Sequence, residues 1–496
     1  MSDTKPRKPW YRPRNVLPPL LAAVLTLVGW LTYLVYWALT VEPNPSVDYA
    51  KQMQALSIDS QPKGDNGWPL LMQGLSLVHE IEEPLSRDED SSYRLDYLNF
   101  NIIYEPNADE NEVGKLNRAL TNLESEGVFD LLAQAAECTN AVGPPRRSES
   151  GPLLNVLLPE LGYLRLLAYA RIASMHFAIA EGNNDEAIRA LDETLTIARA
   201  LTYQPTLIEQ RSGHHLLLEI CKRLRNAIKE QDIGQPILSR YLESIRRHLP
   251  LGSLTIGIED QRLLLRDTIQ YLFSDNGHGN GRLLFSQFDE AGIMNIGDIS
   301  DLSWSPFGGR ESFPAIANVA GIAFADRTET TGMVDRYFDA SIRQAEMSRE
   351  QRLANPFDEQ EFYQQLNWQH PILKLLLFPM TRVIDERDEV ECQIAGTILM
   401  LAIEEYRAEH GQYPATLELL VPETLQDIPS DPFSAHGFIY RITTSADDRQ
   451  NYVLYSVGAD GIDNNGATDS IEPRLALSDL DGFGLDFVLN APKSEK

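Results

Sequence analysis

The densest set of residues with metal-binding chemistry lies near the C-terminus, in segment 456–471. Carboxylate and amide side chains crowd within ten residues there, namely Asp460, Asp463, Asn464, Asn465 and Asp469. Gly458, Gly461 and Gly466 would let the backbone turn between them. Calcium prefers about six to eight oxygen ligands, often on a flexible loop. The spacing therefore predicts a calcium site, and the alternative is a solvated acidic turn with capping Asp and Asn side chains.

The elements that must position this loop are predicted to be one helix and two strands. Apolar residues recur at helical spacing over residues 390–406, and His410-Gly411 is a typical helix end. A short helix is expected at residues 417–420. Strand-like runs at 437–442 and 452–457 are separated by polar residues 445–448. The pattern predicts a helix packed on a small antiparallel sheet, with the loop following the second strand.

Three ordered motifs make this part resemble a known family. They are Gly411-Gln412-Tyr413-Pro414, then Asp431-Pro432-Phe433, then the run from Tyr455 to Gly461. Residues 386–471, about a sixth of the chain, are similar to the globular domain of the major type II secretion pseudopilins. The resemblance implies a compact α+β domain whose loop after the last long strand binds Ca²⁺.

The resemblance also implies individual ligands. Ser456 matches the serine of the family's loop, Asp460 matches its aspartate, and Asp469 falls near its closing acids. Asp463 and Asn465 are added because of their oxygen chemistry, not because of the family. The expected calcium ligands are thus Ser456, Asp460, Asp463, Asn465 and Asp469.

The chain departs from true pseudopilins in three ways. The family's leader, cleavage point and early glutamate have no counterpart around residues 14–25. Its apolar N-terminal helix runs straight into the globular domain, whereas residues 42–385 intervene here. Phe433 replaces the usual tryptophan. We therefore interpret residues 386–471 as a pseudopilin-like domain within a protein that does not itself polymerise into a pseudopilus.

An uncharged apolar stretch near the N-terminus is long enough to cross a bilayer. Residues 20–39 are mostly Leu, Val, Ala, Trp and Tyr, and about twenty such residues span the hydrocarbon as a helix. Lys5, Arg7, Lys8, Arg12 and Arg14 precede it, which places the N-terminus in the cytoplasm. A cleaved signal peptide is the alternative, but its apolar region would be about 7–15 residues long. We expect an uncleaved, single-pass signal anchor in a bacterial-type inner membrane.

The middle of the chain is predicted to be helical. Residues 161–201 show two apolar stripes around a turn at residues 181–185, which predicts an antiparallel hairpin with Asp185 capping the second helix. This hairpin resembles a tetratricopeptide unit, although no clean copy follows at the usual spacing. A second hairpin is expected from residues 216–227 and 237–249, and a solenoid of such pairs would offer a surface for partners.

Composition limits the possible functions. The net charge of the 496 residues is −29, which argues against nucleic-acid binding. The three cysteines, Cys138, Cys221 and Cys392, are too widely spaced for a zinc motif or a disulfide framework. We interpret them as buried apolar residues.

Few residues of the middle region suggest catalysis. His214, His215 and Glu219 lack the spacing of a zinc protease and are expected to belong to the core or the surface. The glycine-rich loop 275–281 contains His278, and with Glu259 or Asp260 it could supply an acid and a base. Contact of His278 with Glu259, Asp260 or Asp267 in a closed pocket would favour that possibility.

The predicted fold class is mainly α: a transmembrane helix, a body of helical hairpins, and a small α+β domain. The expected segments are a cytoplasmic tail (1–15), the anchor (16–41), an extracytoplasmic body (42–385), the calcium-binding domain (386–475) and a C-terminal tail (476–496). We expect few contacts across residue 386. The favoured function is a membrane-anchored scaffold or adaptor for protein partners. The alternatives are a component of a type II secretion or pilus-like assembly, and a hydrolase or lyase.

Overall fold

The computed structural model describes residues 13–85, 95, 98–100, 109–148, 151–230, 233–275, 277–291, 315–443, 451–466 and 486–490. This part of the chain is mainly helical and carries one three-stranded sheet near its C-terminal end. The predicted fold class is confirmed at that level.

The first helix, α1 (Pro13–Thr40), contains the apolar stretch. Its segment Pro18–Thr40 has the length and composition of a membrane span, and it is the one such helix in the described residues. None of the residues in the most apolar part of this segment is buried in the protein. This confirms an apolar N-terminal helix of the kind found in membrane anchors and signal sequences.

Fourteen further α-helices follow in the described residues. They are α2 (Tyr49–Ser60), α3 (Trp68–Leu85), α4 (Glu110–Ser125), α5 (Val128–Ala136), α6 (Pro159–Ala180), α7 (Asn184–Thr202), α8 (Leu207–Glu230), α9 (Gln235–Arg247), α10 (Leu254–Leu272), α11 (Arg327–Glu346), α12 (Arg349–Ala354), α13 (Glu359–Gln365), α14 (Pro371–Leu376) and α15 (Met380–His410). Short 3₁₀ helices lie at Leu153–Asn155, Phe285–Gln287, Ala315–Ala323 and Leu417–Leu420.

The predicted hairpin is formed by α6 and α7, which pack directly on each other. Ala187 is fully buried where the two helices meet. Asn183, not Asp185 as the sequence suggested, caps α7: its side chain accepts a hydrogen bond from the Glu186 amide. Gly182 has a φ of 71°, so it ends α6 in the left-handed conformation and sets Asn183 one residue before α7.

The second predicted hairpin is rearranged by α15. Helix α9 packs mainly against α15, and α8 packs against both α7 and α15 rather than against α9. The centre of α15 is buried on every side, since all nine residues from Gly396 to Glu404 are buried. A helical segment that is buried all round lies in the interior, so the centre of α15 runs through the core of this part of the molecule.

Helix α15 also connects the two large hydrophobic cores. Its first turns contribute Met380, Val383 and Ile384 to a core built with α10, α11 and α14. From Val390 onward it belongs to the core that contains α6, α7 and the sheet. In the described structure, residues before position 386 therefore make many contacts with residues after it, although the sequence suggested few.

The sheet lies behind the C-terminal half of α15. Strand β1 (Ile439–Ile442) pairs antiparallel with β2 (Tyr452–Ser456), in agreement with the predicted strands. A third strand, β3 (Phe487–Val488), pairs with the end of β2 and lies inside the segment expected to be a tail. The next residue, Leu489, packs against Gly396 of α15. The C-terminal unit thus comprises α15, the Leu417–Leu420 turn and the three strands.

Candidate metal centre

The candidate calcium loop leaves the sheet at the end of β2. Ser456 is fully buried, and its hydroxyl accepts a hydrogen bond from the Gly458 amide at 3.1 Å. The backbone then turns at Gly458 and Gly461, which have φ values of 68° and 69°. Such angles favour glycine, so these two residues have the turning role that the sequence suggested.

Two of the predicted acids are exposed on this loop. Asp460 accepts a hydrogen bond from the Ile462 amide at 2.9 Å. Asp463 accepts one from the Tyr455 hydroxyl and one from the Asn465 amide, each at 2.8 Å. The Tyr455 hydrogen bond is the main reason that the pKa of Asp463 is lowered. Asp463 is therefore an anion at neutral pH, as a calcium ligand needs to be.

A neighbouring guanidinium already contacts two of the predicted ligands. Arg441, on β1, donates to Asp463 Oδ2 at 3.2 Å and to Asn465 Oδ1 at 3.3 Å. Asn465 has a φ of 62°, which turns the chain so that its amide oxygen faces the same cation. Arg441 stands where a metal ion sharing these two oxygens would carry its positive charge.

Asp486 is a further acid beside the loop that the sequence analysis missed. It is nearly fully buried just before β3 and accepts hydrogen bonds from the Asn464 and Gly466 amides, the latter at 2.6 Å. Its carboxylate fixes the end of the loop to the sheet. The short apolar run Phe487–Leu489 was the available signal that this segment folds back.

Ser456 lies in the interior rather than on the exposed loop. Burial raises the pKa of Asp431, and a hydrogen bond with the Ser456 hydroxyl opposes that rise. The buried thiol of Cys392 is the third member of this cluster. The structure therefore brings Asp463 and Asn465 together and places Asp460 on the same loop, whereas Ser456 is buried against Asp431. Asp469 lies outside the described residues.

The donor chemistry fits calcium, because the loop offers carboxylate, amide and backbone oxygens. In the described part of the chain, however, the only group of three His, Cys, Asp or Glu side chains with converging ligand atoms lies elsewhere. It consists of Glu409, His410 and Glu423, all exposed, at the C-terminal end of α15. A calcium ion on the 456–466 loop would thus use carbonyl oxygens beside Asp460 and Asp463, and would compete with Arg441.

Two of the acids suggested for catalysis, Glu259 and Asp267, have other partners. Glu259 forms an ion pair with Arg262, and Asp267 accepts a hydrogen bond from the Leu153 amide at 2.6 Å. His214 is buried, and burial lowers its pKa to about 4. The Nε2 atom of His215 lies 3.0 Å from the Tyr169 hydroxyl. These interactions are structural, as the sequence analysis expected for the histidine pair.

Asp260, the third acid suggested for catalysis, has a strongly raised pKa. It is fully buried on α10, and neither carboxylate oxygen has a hydrogen-bond partner. Burial, followed by the nearby charges of Glu259 and Glu209, raises its pKa to about 9. Asp260 is therefore protonated at neutral pH and cannot act as a general base there.

Comparisons with protein-family models, with curated proteins and with solved structures find no match to this chain. The resemblance of residues 386–471 to pseudopilins therefore rests on the sequence motifs alone.

Proposed function

We propose that this protein is a membrane-anchored, extracytoplasmic scaffold whose helical body binds protein partners. The observation that supports the proposal most directly is α15, which is shared by the body and the pseudopilin-like unit. Because the centre of this helix is buried on all sides, that part has no free face with which to contact further copies of the chain. That arrangement favours a scaffold over a subunit of a type II secretion or pilus-like filament.

A surface cleft beside α9 is the proposed partner site. It has a volume of about 400 Å³ and is lined mainly by charged side chains, including Glu243, Arg246, Arg247, Glu405 and Glu423. A second cleft of about 410 Å³ shares Arg246, whose guanidinium donates to the Thr424 carbonyl at 3.1 Å. Because the lining carries charges of both signs, we propose a partner segment that also carries charges of both signs.

Site-specific photocrosslinking in the native membrane tests this proposal. A photoreactive residue at Glu243, whose side chain is 74% exposed in the cleft, should give a crosslinked adduct of defined mass. The yield of this adduct should fall at high salt. The matched control is Glu124, which is 59% exposed on α4. Equal adducts at both positions, or none at Glu243, would contradict a partner site in the cleft.

We also propose that calcium stabilises the C-terminal unit through the 456–466 loop. The support is the pseudopilin-like motif together with the exposed oxygens of Asp460, Asp463 and Asn465. An ion bound only by the folded protein raises its stability in proportion to the logarithm of the ion concentration. Arg441 limits this gain because its guanidinium must give up two of those oxygens.

Thermal unfolding of the full-length protein tests calcium binding. The melting temperature should be higher in calcium than in magnesium or chelator, and Asp460→Ala should remove the difference. Asp59→Ala, which removes an exposed acid on α2, is the control and should retain it. Identical melting temperatures of the unmodified protein in all three solutions would show that the loop is an ordinary acidic turn.

A further inference from the structure

One face of the last turns of α1 packs against the rest of the protein. Leu34 and Trp37 are half-buried and Ala38 is buried, while Tyr33, Val35 and Tyr36 remain exposed. Positions 34, 37 and 38 lie on one face of a helix. One side of the membrane helix is therefore packed against the protein close to its C-terminal end.

The packing partner is the 3₁₀ helix Ala315–Ala323. Its Asn318 is fully buried and donates from Nδ2 to the Ala38 carbonyl at 3.1 Å. That carbonyl belongs to the last four of α1, which have no partner within the helix. The Asn318 side-chain oxygen accepts from the Ser286 amide at 3.1 Å, so the body holds this contact in a defined position.

The depth of the contact follows from helix geometry. The 23 residues of Pro18–Thr40 extend about 35 Å at 1.5 Å per residue, slightly more than the roughly 30 Å of bilayer hydrocarbon. Ala38 is two residues from the end of α1, so it lies about 3 Å below that end. The Ala315–Ala323 helix is consequently held at the level where hydrocarbon meets the headgroups.

The surface next to this contact is apolar and exposed. Ile316 and Ile322 are 39% and 40% exposed, and no charged residue occurs within Ala315–Ala323. Trp368 is 63% exposed and packs edge-on against Phe324, with ring centroids 5.9 Å apart. Tryptophan is enriched at membrane interfaces because its ring is apolar and its N–H is polar.

We propose that Ala315–Ala323 and Trp368 form a membrane platform that rests in the outer interface of the bilayer crossed by α1. The occupant of this surface is lipid, because the surface is continuous with the exposed faces of α1. The protein has a net charge of −29, so the contact is made by apolar side chains and does not depend on anionic lipid. The platform would add a second membrane contact to that of α1, and the proposal rests on the proposed anchor.

Fluorescent probes in single-copy nanodiscs test the platform. In a Cys138→Ser background, leaving the buried Cys221 and Cys392, one probe is attached at Ile322→Cys. Leu25→Cys in α1 is the lipid control, and Leu353→Cys, at a side chain 68% exposed on α12, is the water control. Lipids with a nitroxide near the headgroup should quench the probe at 322 about twofold or more, equally with and without anionic lipid, because it lies in the interface.

Each other result has a separate meaning. If the probe at 25 is quenched by lipid and the probe at 322 responds only to an aqueous quencher, the platform is rejected and the anchor stands. If the probe at 25 is not quenched by lipid, the anchor and the platform are both rejected. Protection of position 322 from both quenchers would mean that protein covers it, which also overturns the proposal. Trp368→Cys provides a second position if Ile322→Cys does not fold.

Discussion

Arg225 of α8 is a buried cation that joins the body to α15. Its guanidinium donates to Thr397 Oγ1 at 2.9 Å and to Gln393 Oε1 at 2.8 Å. Burial lowers its pKa, and its hydrogen bonds go to neutral oxygens. We expect Arg225→Met to destabilise the protein measurably, because it breaks these bonds while the methionine retains most of the apolar packing.

The magnitude follows from the acceptor that loses its donor. Leaving the buried Gln393 Oε1 without a partner costs about 1–3 kcal/mol, less whatever is regained by no longer burying a charge. Gln393→Leu alone should cost at least as much, since it leaves the buried guanidinium with one fewer acceptor. The double variant removes both groups, so its loss should be smaller than the sum by about 0.5–3 kcal/mol.

The assay is urea unfolding of the full-length protein in detergent, followed by circular dichroism, for the two single variants and the double variant. Arg211→Met is the control: its ion pair with Glu386 also joins α8 to α15, but the arginine side chain is 41% exposed. An exposed pair of this kind contributes about 0–1 kcal/mol. If Arg225→Met were no more destabilising than Arg211→Met, or if the double-variant losses were additive, α15 would not be buried against α8.

Three further predictions concern the C-terminal unit and the core. Gly396→Ala should lower the urea midpoint by an amount equivalent to about 1–3 kcal/mol. The added Cβ would stand 2.9 Å from Leu489 Cγ and closer still to both Leu489 methyl carbons. An unchanged midpoint would mean that Leu489 does not pack there. Arg441→Gln should increase the rise in melting temperature caused by calcium, and a smaller rise would show that Arg441 does not compete with the ion. Asp260→Asn should stabilise the protein increasingly as the pH rises from 4 to 8. The reason is that a carboxyl with a pKa of about 9 in the folded protein destabilises the fold as the pH rises above its pKa in the unfolded chain. A difference in melting temperature that does not depend on pH would contradict this.

Local patterns in the sequence predicted the elements well where one face of an element is buried. The α6–α7 hairpin, β1, β2 and the Leu417–Leu420 turn are all present, because apolar spacing and turn residues decide them locally. These features depend on contacts between residues close in sequence.

Long-range packing was not visible in the sequence. The pairing of β3 with β2 joins residues 31 or more apart, and the insertion of α15 between α8 and α9 joins residues more than 160 apart. Arg441 could not be placed beside Asp463 until the register of β1 and β2 was known. The calcium ligands could therefore be proposed from their chemistry and the motif. Arg441, which competes with the ion for them, became visible only from the strand pairing.

The most direct test of the account is the location of the protein's C-terminal end relative to the membrane. A reporter enzyme that is active only outside the cytoplasm, fused after Lys496, should be active in intact cells, and one that is active only inside should not. We expect this result because cationic residues precede α1 and the acidic body follows it. Activity of the cytoplasmic reporter alone, with full-length fusion present in the membrane, would contradict an extracytoplasmic scaffold.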